Sequence, residues 1–407
     1  MKILVVGSGG VGAAFAPIAA RRDFYEHVVF ADLDPARSTR VVDRYGQGGK
    51  FSATTVDASS AANVAECIRA HGITHVLNAA DPRFVMPIFE GALEAGVHYL
   101  DMAMSLAERH TDKPYELVGK KLGDDQFAME QRWKDQGLLA LCGIGIEPGA
   151  ADVFARYAAD HLFSAIDEVG VRDGANLVIA GHDFAPTFSI WTTIEECLNP
   201  PVIWEKDRGW FTTAPFSEPE MFTFPEGIGD VECVNVEHEE VLLVPRWVDC
   251  NRVTFKYGLG DEFIQVLETL HKLGLDKVEK VSVRGAEVSP RDVVAACLPD
   301  PAFLGEEMTG KTCAGTWVRG TGTDGSPREV YLYHVVDTEE TWAKGGAQAV
   351  TWQTAINPVI ALELLANGTW GGTGVLGPEA LDPVPFMDLL NDHGSPWAMT
   401  EMTPKAG

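Results

Sequence analysis

A glycine-rich turn near the N-terminus carries the clearest chemical signal in the sequence. The apolar run 3–6 leads into this turn, and an alanine-rich helical segment follows it to about residue 22. Glycines spaced in this way allow a tight turn, the approach of a pyrophosphate and close helix–strand packing. The amide groups at the start of the helix then point at the phosphates. We therefore expect a dinucleotide to contact the residues of this turn, which are Gly7, Ser8, Gly9, Gly10, Val11 and Gly12.

Two later strand ends extend the predicted cofactor site. Asp32 ends the second apolar run, where a carboxylate accepts hydrogen bonds from the adenosine ribose. A carboxylate there repels a 2′-phosphate, so the sequence favours NAD; Arg37, five residues on, compensates in part and keeps NADP possible. Asn78 and Ala79 end a later strand on the same rim of the predicted sheet. Asn78 is equally well explained as the cap of the next turn.

Two acidic residues are candidates for the reaction itself. Asp101 ends the strand Tyr99–Asp101 at the rim where a nicotinamide lies, and there it can orient an ammonium group or relay a proton. Glu147 precedes Pro148 and Gly149 at the expected crossover between domains, facing the cleft that a crossover creates. The alternatives are a helix N-cap for Asp101 and plain turn chemistry for Glu147.

The run His238-Glu239-Glu240 lies in a segment, 231–244, that we expect to be strand-like. Strand alternation would place His238 and Glu240 on one face and Glu239 on the other. A histidine with carboxylates opposite a nicotinamide suits proton transfer to nitrogen. The alternative is a solvated strand edge.

Aromatic and basic residues supply the candidates for substrate binding. Trp191 lies in an aromatic stretch interleaved with carboxylates, a combination that binds organic cations, although core packing explains it as well. Arg172 and Arg246 are candidates for a substrate carboxylate, because a guanidinium binds carboxylate in bidentate fashion. Ordinary surface ion pairs are the alternative for both arginines.

The elements that must position these residues alternate as β-α-β through residue 141, which predicts an α/β fold with a doubly wound parallel sheet. Between Asp101 and Leu138 we expect a long helical stretch. From about residue 150 the chain becomes β-rich, as in an antiparallel sheet, and beyond Thr341 it becomes helical again. We expect a Rossmann domain over 1–149, completed by about 345–407, and an α+β substrate-binding and dimerisation domain over 150–344.

The amino-acid composition disfavours several kinds of partner and site. The 407 residues include 59 acidic and 32 basic side chains, for a net charge of −27, which disfavours nucleic acid and membrane surfaces as partners. The seven scattered cysteines include no CxxC pair, so we expect neither disulfides nor a metal site. With no apolar run near 18 residues and no signal-peptide core, we expect a cytoplasmic protein.

Taken together, the motifs resemble those of the saccharopine dehydrogenase-like oxidoreductases, the group that includes carboxynorspermidine dehydrogenase, lysine 6-dehydrogenase and homospermidine synthase. The resemblance rests on these segments: Gly7–Gly12, Tyr99–Asp101, Cys142–Gly149, Phe224–Gly229, His238–Glu240 and Leu381–Met387. It implies homodimers and NAD(P)-dependent hydride transfer to or from an imine or secondary amine of an amino acid or polyamine. Glu147 departs from the aspartate of many members, and the Trp191-Thr192-Thr193 segment is less polar than expected.

On this reading, Asp101 and Glu147 hold the ammonium end, His238 and Glu240 manage the proton, and Glu239 joins the substrate contacts. Oxidative deamination of a diamino acid such as lysine is the alternative reaction. A non-catalytic NAD-binding sensor is the alternative class of protein.

Overall fold

The computed structural model describes residues 1–46 and 48–402 and contains two large β-sheets. The first sheet has seven strands, all parallel, in the order β3-β2-β1-β4-β5-β6 with a strand from the C-terminal segment beside β6. This order is that of the doubly wound dinucleotide-binding fold, so the predicted fold class is confirmed. Its first six strands are β1 Lys2–Val6, β2 His27–Asp32, β3 Phe51–Thr55, β4 His75–Asn78, β5 His98–Asp101 and β6 Leu139–Leu141.

Helices connect these strands and cover both faces of the sheet. They are α1 Gly10–Ala19, α2 Pro35–Tyr45, α3 Ala61–His71, α4 Val85–Ala95, α5 Asp124–Ala128 and α6 Glu130–Asp135. The expected long helical stretch after Asp101 is wrong, because only two short helices form there. Pro114 and Gly119 interrupt the segment, and Glu108 pairs with Lys120 so that the chain between them forms a loop.

The second sheet has nine strands and is mixed. Its order is β10-β9-β13-β7-β17-β18-β20, with the β11–β12 hairpin attached to β13. The expectation of an antiparallel sheet is wrong at one pairing, since β13 runs parallel to β7. The strands after β6 in this part of the chain are β7 Phe163–Ala175, β8 Val178–Ile179, β9 Val202–Glu205, β10 Gly209–Thr212, β11 Glu220–Phe224, β12 Gly229–Asn235, β13 Arg252–Tyr257, β14 Val281–Val283, β15 Ala286–Val288, β16 Met308–Thr309, β17 Lys311–Gly322 and β18 Pro327–Asp337.

The helices of this region include one that sequence periodicity misread. They are α7 Ala150–His161, α8 Ile190–Leu198, α9 Glu240–Trp247, α10 Asp261–Leu273, α11 Pro290–Cys297 and α12 Thr338–Gly345. The strand-like reading of 231–244 is wrong beyond Asn235, where β12 ends and a short loop leads into α9. The apolar run 241–244 is buried on every side, and a fully buried run has no periodicity that separates strand from helix.

The C-terminal segment joins both sheets. It contains α13 Ala349–Ala366, β19 Gly374–Leu376, α14 Pro383–Asp392 and β20 Trp397–Glu401. Strand β19 pairs with β6 in the first sheet, whereas β20 pairs with β18 in the second, a pairing that the sequence reading did not include. Residues 403–407, included in the expected segment 345–407, lie outside the described residues.

Helix α13 is long and apolar enough to cross a bilayer, but 72% of it is buried inside the protein, as in a core helix of a globular fold. It packs against α1 and continues the core that the first sheet shares with α7. All seven cysteines carry free thiols in this structure.

Candidate functional site

The glycine turn between β1 and α1 is shaped for a dinucleotide. A side chain at Gly7, whose φ is +97°, would lie 2.5 Å from the carbonyl oxygen of Ala79, and one at Gly12 would collide with the carbonyl oxygen of Gly7. At Gly9, by contrast, the nearest atom to an added Cβ is a guanidinium nitrogen of Arg37, 3.7 Å away. The turn is therefore packed where it meets the protein and open over Gly9, where a pyrophosphate can approach the first amides of α1.

Asp32 and Asn78 shape the two sides of this turn. The Asp32 carboxylate accepts hydrogen bonds from the Ser8 amide at 2.8 Å and the Asp34 amide at 3.0 Å. Each carboxylate oxygen keeps a second lone pair for a ribose hydroxyl. Asn78 is buried; its side chain accepts from the Ala80 amide and donates to the Tyr99 hydroxyl, both at 3.0 Å. The expected cofactor residues thus lie together at the carboxyl edge of the first sheet, and they fit NAD(P).

A cluster of acidic side chains lies beyond the same edge, between the two sheets. His238, Glu239 and Glu240 contribute to it from the start of α9, and Glu147 from the loop after β6. The expected face alternation of the three consecutive residues is wrong, because they lie at a loop-to-helix junction and all three are buried. Glu196, one of the carboxylates interleaved with the aromatic stretch of Trp191, also belongs to the cluster. Sequence reasoning missed these other members: Asp152, Asp173, Glu237 and Glu379.

His238 is the only basic side chain at the centre of the described part of this cluster. Its ring stacks on Phe255 with centroids 3.7 Å apart and 4° between planes, and its Nδ1 lies 2.6 Å from Oε2 of Glu240. Burial alone would lower the pKa of His238, but the neighbouring Glu240, Glu239 and Glu196 raise it to about 10. His238 is therefore an imidazolium at neutral pH, and its Nδ1–H donates to Glu240.

Glu147 and Asp173 form a carboxyl–carboxyl pair beside His238. Two carboxyl groups can hydrogen-bond only if one of them keeps a proton. Burial and the charge of Asp173 raise the pKa of Glu147 well above its usual range, and burial raises that of Asp173 to about 6 even though His238 opposes the shift. Glu147 therefore holds the shared proton, and its Oε2 is buried with no hydrogen-bond partner among the described residues.

Glu196 on α8 faces the same centre, and Tyr257 lies beside it. Burial raises the pKa of Glu196 to about 8, and Glu239 and Glu240 add to the shift. The Glu239 carboxylate accepts a hydrogen bond from the Met104 amide at 3.0 Å, which fixes α9 to the loop after β5. The centre of the site is thus acidic, holds protonated carboxyl groups at Glu147 and Glu196, and is lined in part by aromatic rings.

Asp101 lies at the end of β5, next to this cluster, and makes mainly structural contacts. Its carboxylate accepts from the Gly143 amide and from the Gln126 side chain, each at 2.7 Å, and the Tyr99 hydroxyl is a further partner. Burial raises the pKa of Asp101 to about 7 against these hydrogen bonds. Asp101 therefore holds the loop that carries Glu147.

A second carboxyl pair, Asp152 with Glu379, joins the start of α7 to the C-terminal segment. Both residues are fully buried, and Asp152 also accepts from the Gly149 amide at 2.6 Å. Burial raises the pKa of Asp152 well above its usual range and that of Glu379 to about 7, with Glu240 contributing to both shifts. The negative charge of Glu240 therefore raises the pKa values in both carboxyl pairs.

The expected substrate arginines lie apart from the cluster centre. Alternation along β7 directs Arg172 to the opposite face from Asp173, where it donates to Glu220 at 2.5 Å and to Thr254 at 3.2 Å. Arg246 stacks on Phe127, with its guanidinium carbon 3.7 Å from the ring centroid. Strand alternation continued past Arg172 is the signal that places Asp173 on the opposite face of β7.

Trp191 lies on α8 one turn before the acidic cluster. Guanidinium groups of Arg83 and Arg291 lie 4.4 and 4.6 Å from its ring centroid, so the indole takes part in two cation–π contacts. Its Nε1 has no hydrogen-bond partner among the described residues. Trp191 therefore helps join the loop after β4 to the second sheet's helices.

Within the described part of the chain, His238, Glu239 and Glu240 also form a group whose possible metal-ligand atoms lie within 4.8 Å of one another. The Nδ1 of His238 is already bonded to Glu240, so the trio is a hydrogen-bonded unit in this structure. The expected lack of a metal stays a prediction.

Comparison with known proteins covers almost the entire chain. Residues 3–141 match the saccharopine dehydrogenase NADP binding domain, and residues 145–395 match the saccharopine dehydrogenase C-terminal domain. A carboxynorspermidine synthase of Vibrio alginolyticus is 29% identical over 99% of this chain and 98% of that protein. A carboxyaminopropylagmatine dehydrogenase of Synechocystis is 29% identical over 97% of this chain and 96% of that protein.

A solved structure supports the fold. The saccharopine dehydrogenase (L-Glu forming) of Saccharomyces cerevisiae superimposes with a TM-score of 0.67 at 13% identity, over 99% of this chain and 100% of that one. The two domain matches together span the dinucleotide site and the acidic cluster. The chain belongs to the saccharopine dehydrogenase family of NAD(P)-dependent oxidoreductases that act on carbon–nitrogen bonds.

Proposed function

We propose that the acidic cluster binds the ammonium groups of a diamine or polyamine, and that the chain reduces the imine formed between this amine and a carbonyl acid. The observation that carries the proposal is the excess of buried carboxyl groups around one imidazolium. A reduced nicotinamide cofactor, when bound at the glycine turn, would supply the hydride for the imine carbon. The chain's own residues bind the amine, orient it and move the proton at nitrogen.

The charge of the cluster selects the substrate. Among the described residues, His238 alone balances the central carboxyl groups of Glu147, Asp173, Glu196, Glu239 and Glu240. Raised pKa values keep two of these groups, Glu147 and Glu196, protonated at pH 7 when no cation is bound. A cation that enters offsets the negative charge and lets these groups ionise. An ammonium group is therefore favoured, and an uncharged or anionic ligand gains nothing at this centre.

His238 and Glu240 are the proposed proton-handling pair. An imidazolium whose pKa is about 10 in the empty site is a weak acid at neutral pH. An ammonium bound among the carboxylates reduces the negative potential at His238 and brings the pKa of His238 closer to neutrality. Substrate binding thus prepares the proton that the amine nitrogen gains during imine reduction.

Glu147 and Asp101 have different proposed roles. The buried, unpartnered Oε2 of Glu147 is available to accept from a substrate ammonium. Asp101 is instead a positioning residue, because its oxygens already bind the Gly143 amide and the Gln126 side chain. The substrate roles predicted for Trp191, Glu239, Arg172 and Arg246 stay predictions.

The names of the two bacterial relatives support a product amine that also carries a carboxyl group. The carboxyl end can come from the carbonyl partner of the imine. A reaction of this kind consumes both an amine and a carbonyl acid, and it differs from oxidative deamination in releasing no ammonia.

The test is oxidation of NADH and NADPH in a matrix of amines (1,3-diaminopropane, putrescine, propylamine) and carbonyl acids (aspartate semialdehyde, 2-oxoglutarate, pyruvate). We expect turnover only when both partners are present, with diamines preferred over propylamine of similar length. Turnover with lysine and oxidised cofactor alone, with release of ammonia, would contradict imine reduction and identify the deaminating reaction.

A homodimer in the cytoplasm, without nucleic-acid or membrane partners, is proposed as the setting of this activity. The net charge of −27 supports the expected lack of polyanionic partners. Light scattering coupled to size exclusion tests the dimer directly, since a mass near 44.1 kDa would indicate a monomer.

A further inference from the structure

A segment of the second domain lies against the start of α1, beside the glycine turn. Asp300 begins a short helical turn, Pro301–Phe303, and accepts a hydrogen bond from the Ala302 amide at 3.0 Å. Ala302 lies so close to the turn that its Cα is 3.8 Å from where a Cβ on Gly10 would be. The segment therefore lies beside the cofactor turn, although it comes from a part of the chain almost 300 residues away.

The same segment places a negative charge on Arg37. Oδ2 of Asp300 is 3.2 Å from one terminal guanidinium nitrogen of Arg37, and the other terminal nitrogen lies 3.7 Å from where a Cβ on Gly9 would be. A second contact joins the segment to α2, where the guanidinium of Arg40 lies 5.1 Å from the ring centroid of Phe303. Both side chains of the Arg37–Asp300 pair remain partly exposed, so a ligand can compete for Arg37.

Arg37 and Asp32 lie on the side of the turn where the adenosine ribose is held in this fold. Asp32 has lone pairs for the two hydroxyls of an unphosphorylated ribose, and it repels a 2′-phosphate. Arg37 is the cation beside Gly9 that attracts a 2′-phosphate, but in this structure Asp300 neutralises it. Asp32 in the first domain and Asp300 in the second therefore both disfavour the binding of a 2′-phosphate.

We propose that Asp300 is a cofactor-specificity residue, which weakens binding of the 2′-phosphorylated dinucleotide by competing with its phosphate for Arg37. The discrimination is thus shared between the domains and is greatest when the segment 300–303 lies against the turn. The inference rests on the dinucleotide site and not on the proposed amine substrate, so a binding measurement tests it whether or not turnover is found.

The test measures dissociation constants of NADH and NADPH by fluorescence for the full chain and for Asp300→Asn. We expect Asp300→Asn to bind NADPH about fivefold more tightly, the upper range for a partly exposed ion pair, with NADH changed less than about twofold. The gain should shrink at high salt because the charges are screened. Arg37→Gln should weaken NADPH selectively and should abolish the gain in the double variant.

Glu306→Gln is the matched control, because it removes an exposed carboxylate six residues after Asp300. It should leave the ratio of the two dissociation constants unchanged. The proposal is overturned if Asp300→Asn leaves that ratio unchanged, if Asp300→Asn and Glu306→Gln alter it equally, or if NADPH binding is undetectable in both the unmodified chain and Asp300→Asn.

Discussion

The Nδ1 atom of His238 lies 2.6 Å from Oε2 of Glu240, while the other carboxylate oxygen of Glu240 is buried without a partner among the described residues. This hydrogen bond holds the Nδ1 proton of His238 at the centre of the acidic cluster. Because Phe255 covers one face of the imidazole, the ring is held in one plane and its remaining nitrogen has a fixed direction. The protonation of His238 therefore depends on the charge of any ligand that binds in the cluster.

Replacing Glu240 with glutamine should lower the pKa of His238. The charge of Glu240 is the largest contribution that raises this pKa, and burial opposes it. We expect the titration of His238, followed by NMR of a histidine-labelled sample, to move down from about 10 by more than one unit. Glu239→Gln is the control, since the Glu239 carboxylate is 3.5 Å from the same nitrogen and should produce a smaller shift. An unchanged titration in Glu240→Gln would argue against the coupling.

Amine binding should release protons from the cluster. Burial raises the pKa of Glu196 to about 8, so this carboxyl is mostly protonated at pH 7 until an ammonium group enters. Calorimetric titration with 1,3-diaminopropane in buffers of different ionisation enthalpy should show net proton release. Binding without proton release would show that the carboxyls are already ionised.

Glu196→Gln separates binding from stability. A neutral isostere resembles the protonated form of the empty site, so we expect the unfolding free energy at pH 7 to change by less than about 0.5 kcal/mol. Amine affinity should fall roughly 10- to 100-fold, which corresponds to the loss of a charged hydrogen bond of about 1.5–3 kcal/mol. The exposed Glu262→Gln on α10 is the control and should bind the amine normally.

Stability should fall as pH rises. Folding raises the pKa of Asp173 to about 6, of Asp101 and Glu379 to about 7 and of Glu196 to about 8, so the folded chain binds more protons than the unfolded chain between about pH 4 and these values. Their stabilising contribution is present at low pH and is lost as each folded-state pKa is passed. The midpoint of thermal unfolding should therefore decrease by roughly 5 °C or more from pH 6 to pH 9. A saturating diamine should reduce this decrease, and a flat profile would count against buried, protonated carboxyls.

Two alanine substitutions should separate cofactor binding from folding at the glycine turn. Gly9→Ala finds open space, so it should keep the thermal midpoint while NADPH and NADH binding is lost, because the methyl group occupies the approach of the pyrophosphate. Gly12→Ala collides with the Gly7 carbonyl and should lower the midpoint as well. Fluorescence binding and thermal unfolding measured side by side distinguish the two. Normal dinucleotide binding by Gly9→Ala would place the cofactor elsewhere.

The local sequence was sufficient to predict the first sheet and its cofactor turn. An apolar strand, three spaced glycines and a helix form a short-range pattern, and Asp32 follows within the same β-α-β unit. Helix α3 depends on local signals of the same kind, because Ser60 caps its start and Gly72 ends it. Such features depend on residues that are close in sequence, so they can be recognised from the sequence alone.

The acidic cluster was only partly visible, because its members approach through tertiary structure. Glu147 and His238 stood out by their motifs, whereas Asp173, Glu196 and Glu379 come from a strand, a helix and the C-terminal segment with no shared motif. Strand alternation could not assign faces around His238 while the segment was misread as a strand. The contact of Asp300 with Arg37 is likewise invisible in sequence.

The sequence by itself determined the α/β class, the dinucleotide turn and the acidic character of this protein. Only the tertiary structure decided which carboxyl groups are buried together, and therefore which of them keep a proton. The physical reason is that a pKa depends on burial and on charges a few ångströms away, and these are properties of packed elements rather than of residue order.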